Sequence, residues 1–378
     1  MRTIKTAIVG TGFSATSHLE ALRRVPNVEV TAIVSQSLSS AKGLAEKFGV
    51  AYAYDDVEEM LKNEEIEVVH NCTPNSLHFP INKRALESGK HVLSEKPLAI
   101  TSEETRQLHE IALENNRIHG VCFNYRFYPL VQEVKSRLKG EKQVYLVHGG
   151  YVQDWLLYPT DYSWRLDKRL NGPSRAIADI GSHWCDTVQY ILGNKIVRVF
   201  ADLQTIHPKR KKPKEEVKTF AAAEHSEYEE VEIDTEDAGH VLVHFEGGAT
   251  GAFTVSQVSA GRKNRLFFEI STKDTTYSWD QEKPNELWIG KRDGANGLLM
   301  RDPSLLTEES RRFVHYPGGH QEGWPDALKN LFLEFYDHVR NPGKAAVEYA
   351  TFEDGHNIMK IVEAILKSHE TKQWVEIR

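Results

Sequence analysis

The chain has 378 residues, more than one hydrophobic core usually supports, so two domains are expected. Its 40% hydrophobic and 27% charged residues are typical of a globular protein and exclude a largely disordered chain. The formal net charge of -7 gives no general attraction to nucleic acid or to an anionic membrane, and therefore favours a small-molecule partner.

The first 125 residues alternate short β-branched runs with segments of helical periodicity. The predicted strands are TIKTAIVG, VEVTAIV, EVVHNCT, HVLSE and RIHGVCF, and the predicted helices cover residues 14–25, 38–48, 76–88 and 102–116. Strands that alternate with helices favour a parallel sheet covered on both faces. We therefore predict an α/β, doubly wound N-terminal domain over residues 1–125.

The pattern changes after Pro129. A helix to Leu138 is followed by the strand-like runs VYLVHGGYV, HVLVHFEGGATGAFTVSQ and RLFFEISTKDTTYSW, which predict antiparallel hairpins. Residues 326–340 and 351–369 have helical spacing, and WVEI near the C-terminus is interpreted as an edge strand. Residues 126–378 are thus predicted to form an α+β domain, whose last helix can pack back on the first domain.

The segment from His207 to Asp234 changes from basic to acidic and has little periodicity. Such a run buries too little apolar surface to order itself, which favours a solvated insertion over a binding tail.

The first strand ends in GTGFSA, where Gly10, Gly12 and Ala15 match the GxGxxG/A pattern of dinucleotide-binding domains. Gly10 permits a tight turn and Gly12 lets the backbone approach a pyrophosphate. Phe13 and Ser14 begin the helix whose N-terminus favours that anion. A bare match of this kind is also compatible with a purely structural turn, but its position after an N-terminal strand favours cofactor binding.

The second strand is followed by Ser35 and Gln36, where dinucleotide-binding domains usually have an acidic residue that binds the ribose. Without that carboxylate the main barrier to NADP is absent, yet no arginine stands there to attract the extra phosphate. Lys42 is the nearest cation in sequence. The cofactor is therefore NAD or NADP.

Three more segments, NCTPNSLH from Asn71, SEKPLA from Ser94 and AIADIGSHWCD from Ala176, join GTGFSA in a combination that resembles the Gfo/Idh/MocA oxidoreductase family. The resemblance spans nearly the whole chain. It implies an N-terminal Rossmann domain and a C-terminal domain with an open, mixed sheet, through which homodimers or homotetramers often form. FNYR, YVQDW and SWR resemble a subgroup of sugar dehydrogenases, although the loops here differ in length.

Within this resemblance, Lys96, Asp179 and His183 are the candidate catalytic residues. Oxidation of a hydroxyl carbon needs a base for the hydroxyl proton and a charge that stabilises the developing alkoxide. We assign His183 as base, Lys96 as the polarising cation and Asp179 as the residue that orients Lys96 or the substrate. Asp179 and His183 are expected to share one helix face. Taken singly, a surface lysine, a helix-capping aspartate and a core histidine are the alternatives.

The same resemblance and the ends of the strands supply the remaining candidates. Cofactor contacts are expected from Thr73, Pro74, Asn75, His78, Glu95, Lys96, Asn124, Trp164 and Arg165, and substrate contacts from Lys96, Tyr125, Arg126, Gln153, Trp155, Asp179 and His183. Plain turns, hinge hydrogen bonds and aromatic core packing are the alternative roles for these residues. Aromatic rings beside amides suit the apolar faces and hydroxyls of a carbohydrate or polyol.

These features predict an NAD(P)-dependent sugar or cyclitol dehydrogenase. The alternatives are a glycosidase that uses NAD transiently and a non-catalytic NAD(P)-binding sensor. Cys72, Cys122 and Cys185 lie far apart without metal-site spacing, so we expect reduced core cysteines and no metal. Because no signal peptide or membrane-spanning stretch is present, the expected location is the cytoplasm.

Overall fold

The computed structural model describes residues 2–140, 143–214, 227–344 and 346–377. Contacts divide the chain into two compact units. The first comprises residues 1–124, 169–172 and 328–359, and the second comprises residues 125–168, 173–327 and 360–378. In these described ranges, no helix combines the length and hydrophobicity that crossing a bilayer requires.

Strands and helices alternate in the first third of the chain, and strands predominate between Val144 and Met300. The strands are β1 (Ile4–Val9), β2 (Val28–Val34), β3 (Tyr52–Tyr54), β4 (Ile66–Asn71), β5 (His91–Ser94), β6 (His119–Val121), β7 (Val144–Val152), β8 (Ile196–Gln204), β9 (Lys209–Pro213), β10 (Tyr228–Glu232), β11 (Ala238–Phe245), β12 (Thr250–Ser256), β13 (Arg265–Thr272), β14 (Thr275–Asp280), β15 (Glu286–Lys291), β16 (Gly297–Met300) and β17 (Val375–Glu376). The helices are α1 (Phe13–Leu22), α2 (Leu38–Phe48), α3 (Val57–Leu61), α4 (His78–Glu87), α5 (Ser102–Glu114), α6 (Pro129–Leu138), α7 (Lys168–Asn171), α8 (Ser182–Leu192), α9 (Glu308–Arg311), α10 (Trp324–Arg340) and α11 (Phe352–Thr371).

The first unit is built on a six-stranded parallel sheet of order β3-β2-β1-β4-β5-β6. All five predicted strands are present, and the α/β doubly wound prediction is confirmed. The edge strand β3 and the short helix α3 were not predicted, because three and five residues are too few to establish a periodicity. The sheet reverses its order between β1 and β4, where ligands of such folds bind.

The second unit contains a nine-stranded sheet of order β16-β15-β14-β13-β7-β12-β11-β8-β17. β7 and β12 are parallel, whereas the other neighbouring strands are antiparallel, so the sheet is mixed, as expected. Alternate residues of β13 are buried, which leaves one face of the strand more exposed. The predicted C-terminal edge strand is β17, and it pairs with β8.

The segment from His207 to Asp234 contains regular structure that its sequence did not predict. β9 and β10 form an antiparallel pair with register from Lys209↔Glu232 to Pro213↔Tyr228. The Arg210 side chain is fully buried and contacts Asp237 at 2.8 Å, so a buried ion pair anchors this hairpin. The part of the predicted insertion over residues 215–226 lies outside the described residues.

Candidate active site

The strands of the first unit end in register along one edge of the sheet. The aligned final residues are Val34, Val9, Asn71, Ser94 and Val121. Because parallel strands point the same way, the residues that follow them share this edge. The predicted cofactor residues Gly10, Ser35, Thr73, Glu95 and Asn124 all come directly, or within three residues, after these strand ends.

The glycine motif forms a turn that only glycine can make at its first position. Gly10 has a φ of +115°, and a Cβ there would lie 2.6 Å from the carbonyl oxygen of Cys72. At Gly12 the φ of -82° is ordinary, and a Cβ would meet no atom within 4 Å. The space in front of Gly12 and the N-terminus of α1 is therefore open to a ligand, as a pyrophosphate site requires.

The end of β2 presents hydroxyl and amide groups in place of a carboxylate. The Ser35 and Thr11 hydroxyl groups lie 3.3 Å apart, which connects this strand end to the glycine turn. Gln36 is exposed, and Ser37 accepts a hydrogen bond from the backbone N–H of Ser40 at the start of α2. These neutral groups neither attract nor repel the extra phosphate that NADP carries on its ribose.

Asn71 holds the residues that follow β4. Its side-chain oxygen accepts hydrogen bonds from the hydroxyl group and the backbone N–H of Thr73, at 2.7 and 3.3 Å. Pro74 comes next in extended conformation and precedes the helical turn that contains Asn75. The loop at this strand end is thus fixed by a buried amide.

Asn75 and His78 are buried and make hydrogen bonds within the protein. The Asn75 amide donates to the side-chain oxygen of Asn171 at 2.9 Å. The ring nitrogens of His78 lie 2.6 Å from the carbonyl oxygen of Pro97 and 2.9 Å from that of Thr73. These contacts favour a role in shaping the loops after β4 and β5 over direct contact with a ligand.

Lys96 follows β5 in the sequence SEKP, and its peptide bond to Pro97 is cis. The backbone N–H of Lys96 donates to the carboxylate of Glu95, which also forms a 3.1 Å contact with the His18 ring. Burial opposes ionisation of Glu95, but the hydrogen bond and charge of His18 and the charge of Lys96 outweigh it and lower its pKa to about 2. A permanent negative charge therefore lies next to Lys96.

Asn124, which closely follows β6, supplies a further polar group at this edge. Its side chain is buried, and its amide nitrogen has no hydrogen-bond partner among the described residues. A buried donor without a partner costs free energy, which a bound amide or carbonyl acceptor would recover. The open space at Gly12 and the donor of Asn124 fit a dinucleotide laid along the edge, whose nicotinamide would supply the hydride-accepting carbon.

In the second unit, Asp179 lies in a π-helical turn over Ile177–Gly181 that leads directly into α8. The helix that carries Asp179 and His183 therefore begins with a wider turn, whose hydrogen bonding differs from that of an α-helix. Such turns often occur at functional sites. The Asp179 carboxylate accepts a 2.9 Å hydrogen bond from the Gln257 amide and lies 3.5 Å from Nε of Arg165.

His183 lies in the first turn of α8 and packs against two tyrosines. Its ring lies edge to face with that of Tyr125, with centroids 4.9 Å apart, and 6.0 Å from that of Tyr151. The hydroxyl groups of the two tyrosines lie 2.6 Å apart, and burial raises the pKa of both. Both phenols therefore remain protonated donors beside the imidazole at neutral pH.

Asn264 is a site residue that sequence reasoning missed. Its side-chain oxygen accepts hydrogen bonds from the Tyr151 hydroxyl at 2.5 Å and the Gln153 amide at 2.7 Å, and its amide donates to Tyr125 at 3.1 Å. Gln153 in turn accepts from the Trp155 indole at 3.0 Å. We call Tyr125, Tyr151, Gln153, Trp155 and Asn264 the amide–phenol cluster. No local motif marks Asn264, because it precedes β13, far along the chain from its partners.

Arg165, a predicted cofactor residue, contacts two tryptophan rings and a carboxylate. Its guanidinium lies 4.6 Å from the Trp164 ring centroid and 5.9 Å from that of Trp155, in addition to its contact with Asp179. Arg165 thereby contacts Trp164, predicted to bind the cofactor, Trp155, predicted to bind the substrate, and the candidate catalytic residue Asp179. All of these residues belong to the second unit.

The guanidinium of Arg126 is committed to a structural pair. It donates two hydrogen bonds to the carboxylate of Asp186, at 2.5 and 2.8 Å, and lies 4.7 Å from the Tyr190 ring centroid. Both charged side chains are almost fully buried. This arrangement favours stabilisation of α8 over contact with a substrate.

Two family models match the chain. Residues 4–123 match "Oxidoreductase family, NAD-binding Rossmann fold", and residues 134–300 match "GFO/IDH/MocA C-terminal domain". Levoglucosan dehydrogenase from Pseudarthrobacter phenanthrenivorans is 27% identical over 100% of this chain and 99% of its own.

Solved structures are similar over the same extent. Levoglucosan dehydrogenase in complex with NADH and L-sorbose has a TM-score of 0.88 and 25% identity, with 100% of both chains covered. An inositol dehydrogenase homologue from Azotobacter vinelandii, complexed with NADH and myo-inositol, has a TM-score of 0.85 and 25% identity, with 99% of this chain and 98% of that chain covered.

Proposed function

We propose, given that the chain belongs to the Gfo/Idh/MocA oxidoreductase family, that it is an NAD(P)-dependent dehydrogenase for a hydroxyl carbon of an uncharged sugar, anhydrosugar or cyclitol. The observation that carries the substrate class is the amide–phenol cluster beside His183. The relatives whose names include levoglucosan, L-sorbose and myo-inositol support it, because all three are neutral polyhydroxy compounds.

The composition of the cluster argues for a neutral substrate. Amides and phenols both donate and accept hydrogen bonds, and the indole adds a donor, as several hydroxyl groups of a carbohydrate require. The two cations that flank Asn264 in sequence are already paired: Lys263 with Asp154 at 2.8 Å and Arg265 with Asp280 at 2.6 Å. Because both charges are already paired, Lys263 and Arg265 do not favour a sugar phosphate over a neutral sugar.

The catalytic roles follow from the chemistry of alcohol oxidation. His183 accepts the hydroxyl proton, Lys96 stabilises the developing negative charge on oxygen, and Asp179 orients the reacting groups. Bound nicotinamide supplies the acceptor for the hydride that leaves the same carbon. Glu95 keeps a negative charge next to Lys96 in the chain.

The test is an absorbance assay for reduced nicotinamide with the purified protein and either NAD⁺ or NADP⁺. The substrates are anhydrosugars, glucosides, sorbose and inositols, with glucose 6-phosphate and gluconate as charged controls. Turnover with a neutral polyol and little with the charged controls is expected. If a glycoside is cleaved without net cofactor reduction, or if the cofactor binds but no polyol is oxidised, the proposal is wrong.

We also propose a homodimer or homotetramer that forms through the open face of the nine-stranded sheet. A continuous row across paired strands on this face includes the exposed side chains of Leu242, Trp288 and Leu298. Between Leu242 and Trp288 the row also contains His148 and Glu269, so this face offers both apolar and charged groups to a second copy of the chain. Analytical ultracentrifugation of the wild type and of the Trp288→Glu, Leu242→Glu double variant tests this, with dissociation expected for the variant.

We propose a cytoplasmic location as well. The three buried free cysteines support it, because thiols stay reduced in that compartment.

A further inference from the structure

Three side chains that can bind a metal meet inside the first unit. His18 lies on α1, Glu95 follows β5 and Cys122 follows β6, and one ligand atom from each lies within 4.8 Å of the other two. His18 and Cys122 are buried, and Glu95 is mostly buried. Neither spacing nor motif in the sequence joins these residues, which is why no metal was predicted.

The distances from His18 to the other two ligand atoms are close to those around a tetrahedral zinc ion. Nε2 of His18 lies 3.1 Å from the Glu95 carboxylate and 3.6 Å from Sγ of Cys122. With ordinary Zn–N, Zn–O and Zn–S bond lengths, two ligand atoms in a tetrahedral site lie about 3.3 to 3.7 Å apart. The three groups therefore need only small movements to share one ion.

A second histidine holds His18 in the orientation that a metal ligand requires. The Nδ1 atoms of His18 and His70 lie 2.9 Å apart, and Nε2 of His70 lies 2.8 Å from the Tyr336 hydroxyl. Nδ1 of His18 can donate a hydrogen bond to His70, so that a metal ion can take the place of the proton on Nε2, which lies beside Glu95 and Cys122. Histidines that bind metals usually donate from their other ring nitrogen in this way.

Charge balance also favours a divalent ion. With a bound ion, Glu95 and Cys122 would contribute two negative charges and His18 none, so the buried cluster would be neutral. A neutral cluster avoids the cost of burying an uncompensated charge. The set of one thiolate, one imidazole and one carboxylate suits Zn²⁺ or Co²⁺ better than Mg²⁺ or Ca²⁺, which prefer oxygen ligands.

We propose that His18, Glu95 and Cys122 form a binding site for one Zn²⁺ or Co²⁺ ion per chain. The proposal stands on these contacts and does not depend on the proposed dehydrogenase activity.

The test is a titration of the full-length, chelator-treated and phosphine-reduced protein with Co²⁺, followed by absorbance. We expect one equivalent to produce a thiolate-to-cobalt charge-transfer band and visible bands of tetrahedral intensity. Zn²⁺ should displace Co²⁺ and abolish both signals. A protein that gives no charge-transfer band, or binds Co²⁺ only at exposed sites without thiolate, overturns the proposal.

Variants identify the ligands. Cys122→Ser should abolish the charge-transfer band and weaken Co²⁺ binding at least tenfold, and His18→Gln should weaken binding to a similar extent. Cys185→Ser is the matched control, because Cys185 is an equally buried thiol in the second unit, and it should leave the spectrum unchanged. Circular dichroism identifies any variant that fails to fold. A spectrum that survives in folded Cys122→Ser, or disappears in folded Cys185→Ser, contradicts the assignment.

Discussion

Gln257 donates a hydrogen bond of 2.9 Å to the carboxylate of Asp179, the candidate orienting residue. The direction of the Gln257 amide is fixed, because its oxygen accepts a 2.9 Å hydrogen bond from Arg175, and a guanidinium can only donate. Arg175 is itself held by Asp237 at 2.5 Å. The position of Asp179 thus depends on a fully buried ion pair.

Replacement of Gln257 by leucine should impair turnover through Asp179. The variant keeps most of the side-chain volume but removes both the donor to Asp179 and the acceptor of Arg175. Loss of the hydrogen bond to Asp179 should lower kcat by about tenfold, the value of one hydrogen bond. The cofactor Kd should change little, because Gln257 lies in the second unit and the glycine motif in the first. Steady-state kinetics and NADH fluorescence titration measure the two effects. An unchanged kcat would show that Asp179 needs no such support.

The Lys96→Ala and His183→Ala variants test the catalytic assignments. Each should lower kcat by about 10² to 10⁴-fold, the usual contribution of a positioned acid, base or charge. Both should still bind NADH, since the glycine turn is untouched. His320→Ala is the matched control, because His320 is an exposed histidine in the same unit as His183 and lies outside the nine-stranded sheet. Near wild-type turnover in either test variant would refute the role of that residue.

Asn264→Ala should act mainly on substrate binding. Asn264 accepts from Tyr151 and Gln153, so its loss leaves buried donors without this acceptor. We expect kcat/KM to fall by about 10 to 100-fold for a neutral polyol, mostly through KM. A kinetic comparison with Asn341→Ala, an exposed asparagine of the first unit, provides the control. Equal KM values in the two variants would remove Asn264 from the substrate site.

Asp237→Ala should strongly destabilise the protein. The side chains of Arg175, Arg210 and Asp237 are fully buried, and removal of the carboxylate leaves two guanidinium groups without their shared partner. We expect a loss of about 3 to 5 kcal/mol in the free energy of unfolding. Glu103→Ala, which breaks an exposed pair with Arg106, should have a much smaller effect. Urea denaturation, monitored by circular dichroism, compares the two variants. Similar midpoints would contradict the prediction.

His91 and His119 should make the protein sensitive to acid. Burial, followed by nearby positive groups, lowers the pKa of His91 to about 4 and that of His119 to about 3. In each ring Nδ1 accepts a backbone N–H, from Ile118 and Phe352 respectively, and a proton on that nitrogen would break the hydrogen bond. The folded state therefore favours both neutral imidazoles.

The sign of the pH dependence follows from these lowered values. Below pH 6.5 the unfolded chain takes up protons at both histidines while the folded chain does not, so stability is complete above 6.5 and falls towards pH 4. The His119→Asn variant keeps an acceptor that does not titrate. The free energy of unfolding of this variant should change less with pH than that of the wild type. The slopes of the two proteins should differ by up to about 1.4 kcal/mol per pH unit. Urea midpoints between about pH 7 and pH 4.5 test this, and identical slopes would contradict it.

The sequence alone determined the elements that depend on local patterns. The strands that end before Gly10, Ser35 and Lys96 were predicted because runs of β-branched residues mark buried parallel strands, and the glycine motif identified the dinucleotide turn. The four-residue spacing of Asp179 and His183 predicted a helical segment. The π-helical turn was not predictable, because its wider hydrogen bonding leaves no mark in the spacing of residues.

Tertiary structure alone decided the contacts between residues that are distant along the chain. Asn264 joins Tyr125, and His18 joins Cys122, because strands and helices bring them together, and a single sequence holds no record of such pairings. The same reason explains why the pairing of Arg126 with Asp186 was not predicted. Local periodicity follows from the sterics of neighbouring residues and from burial. Contacts between residues that are far apart in the sequence are determined only when the chain packs.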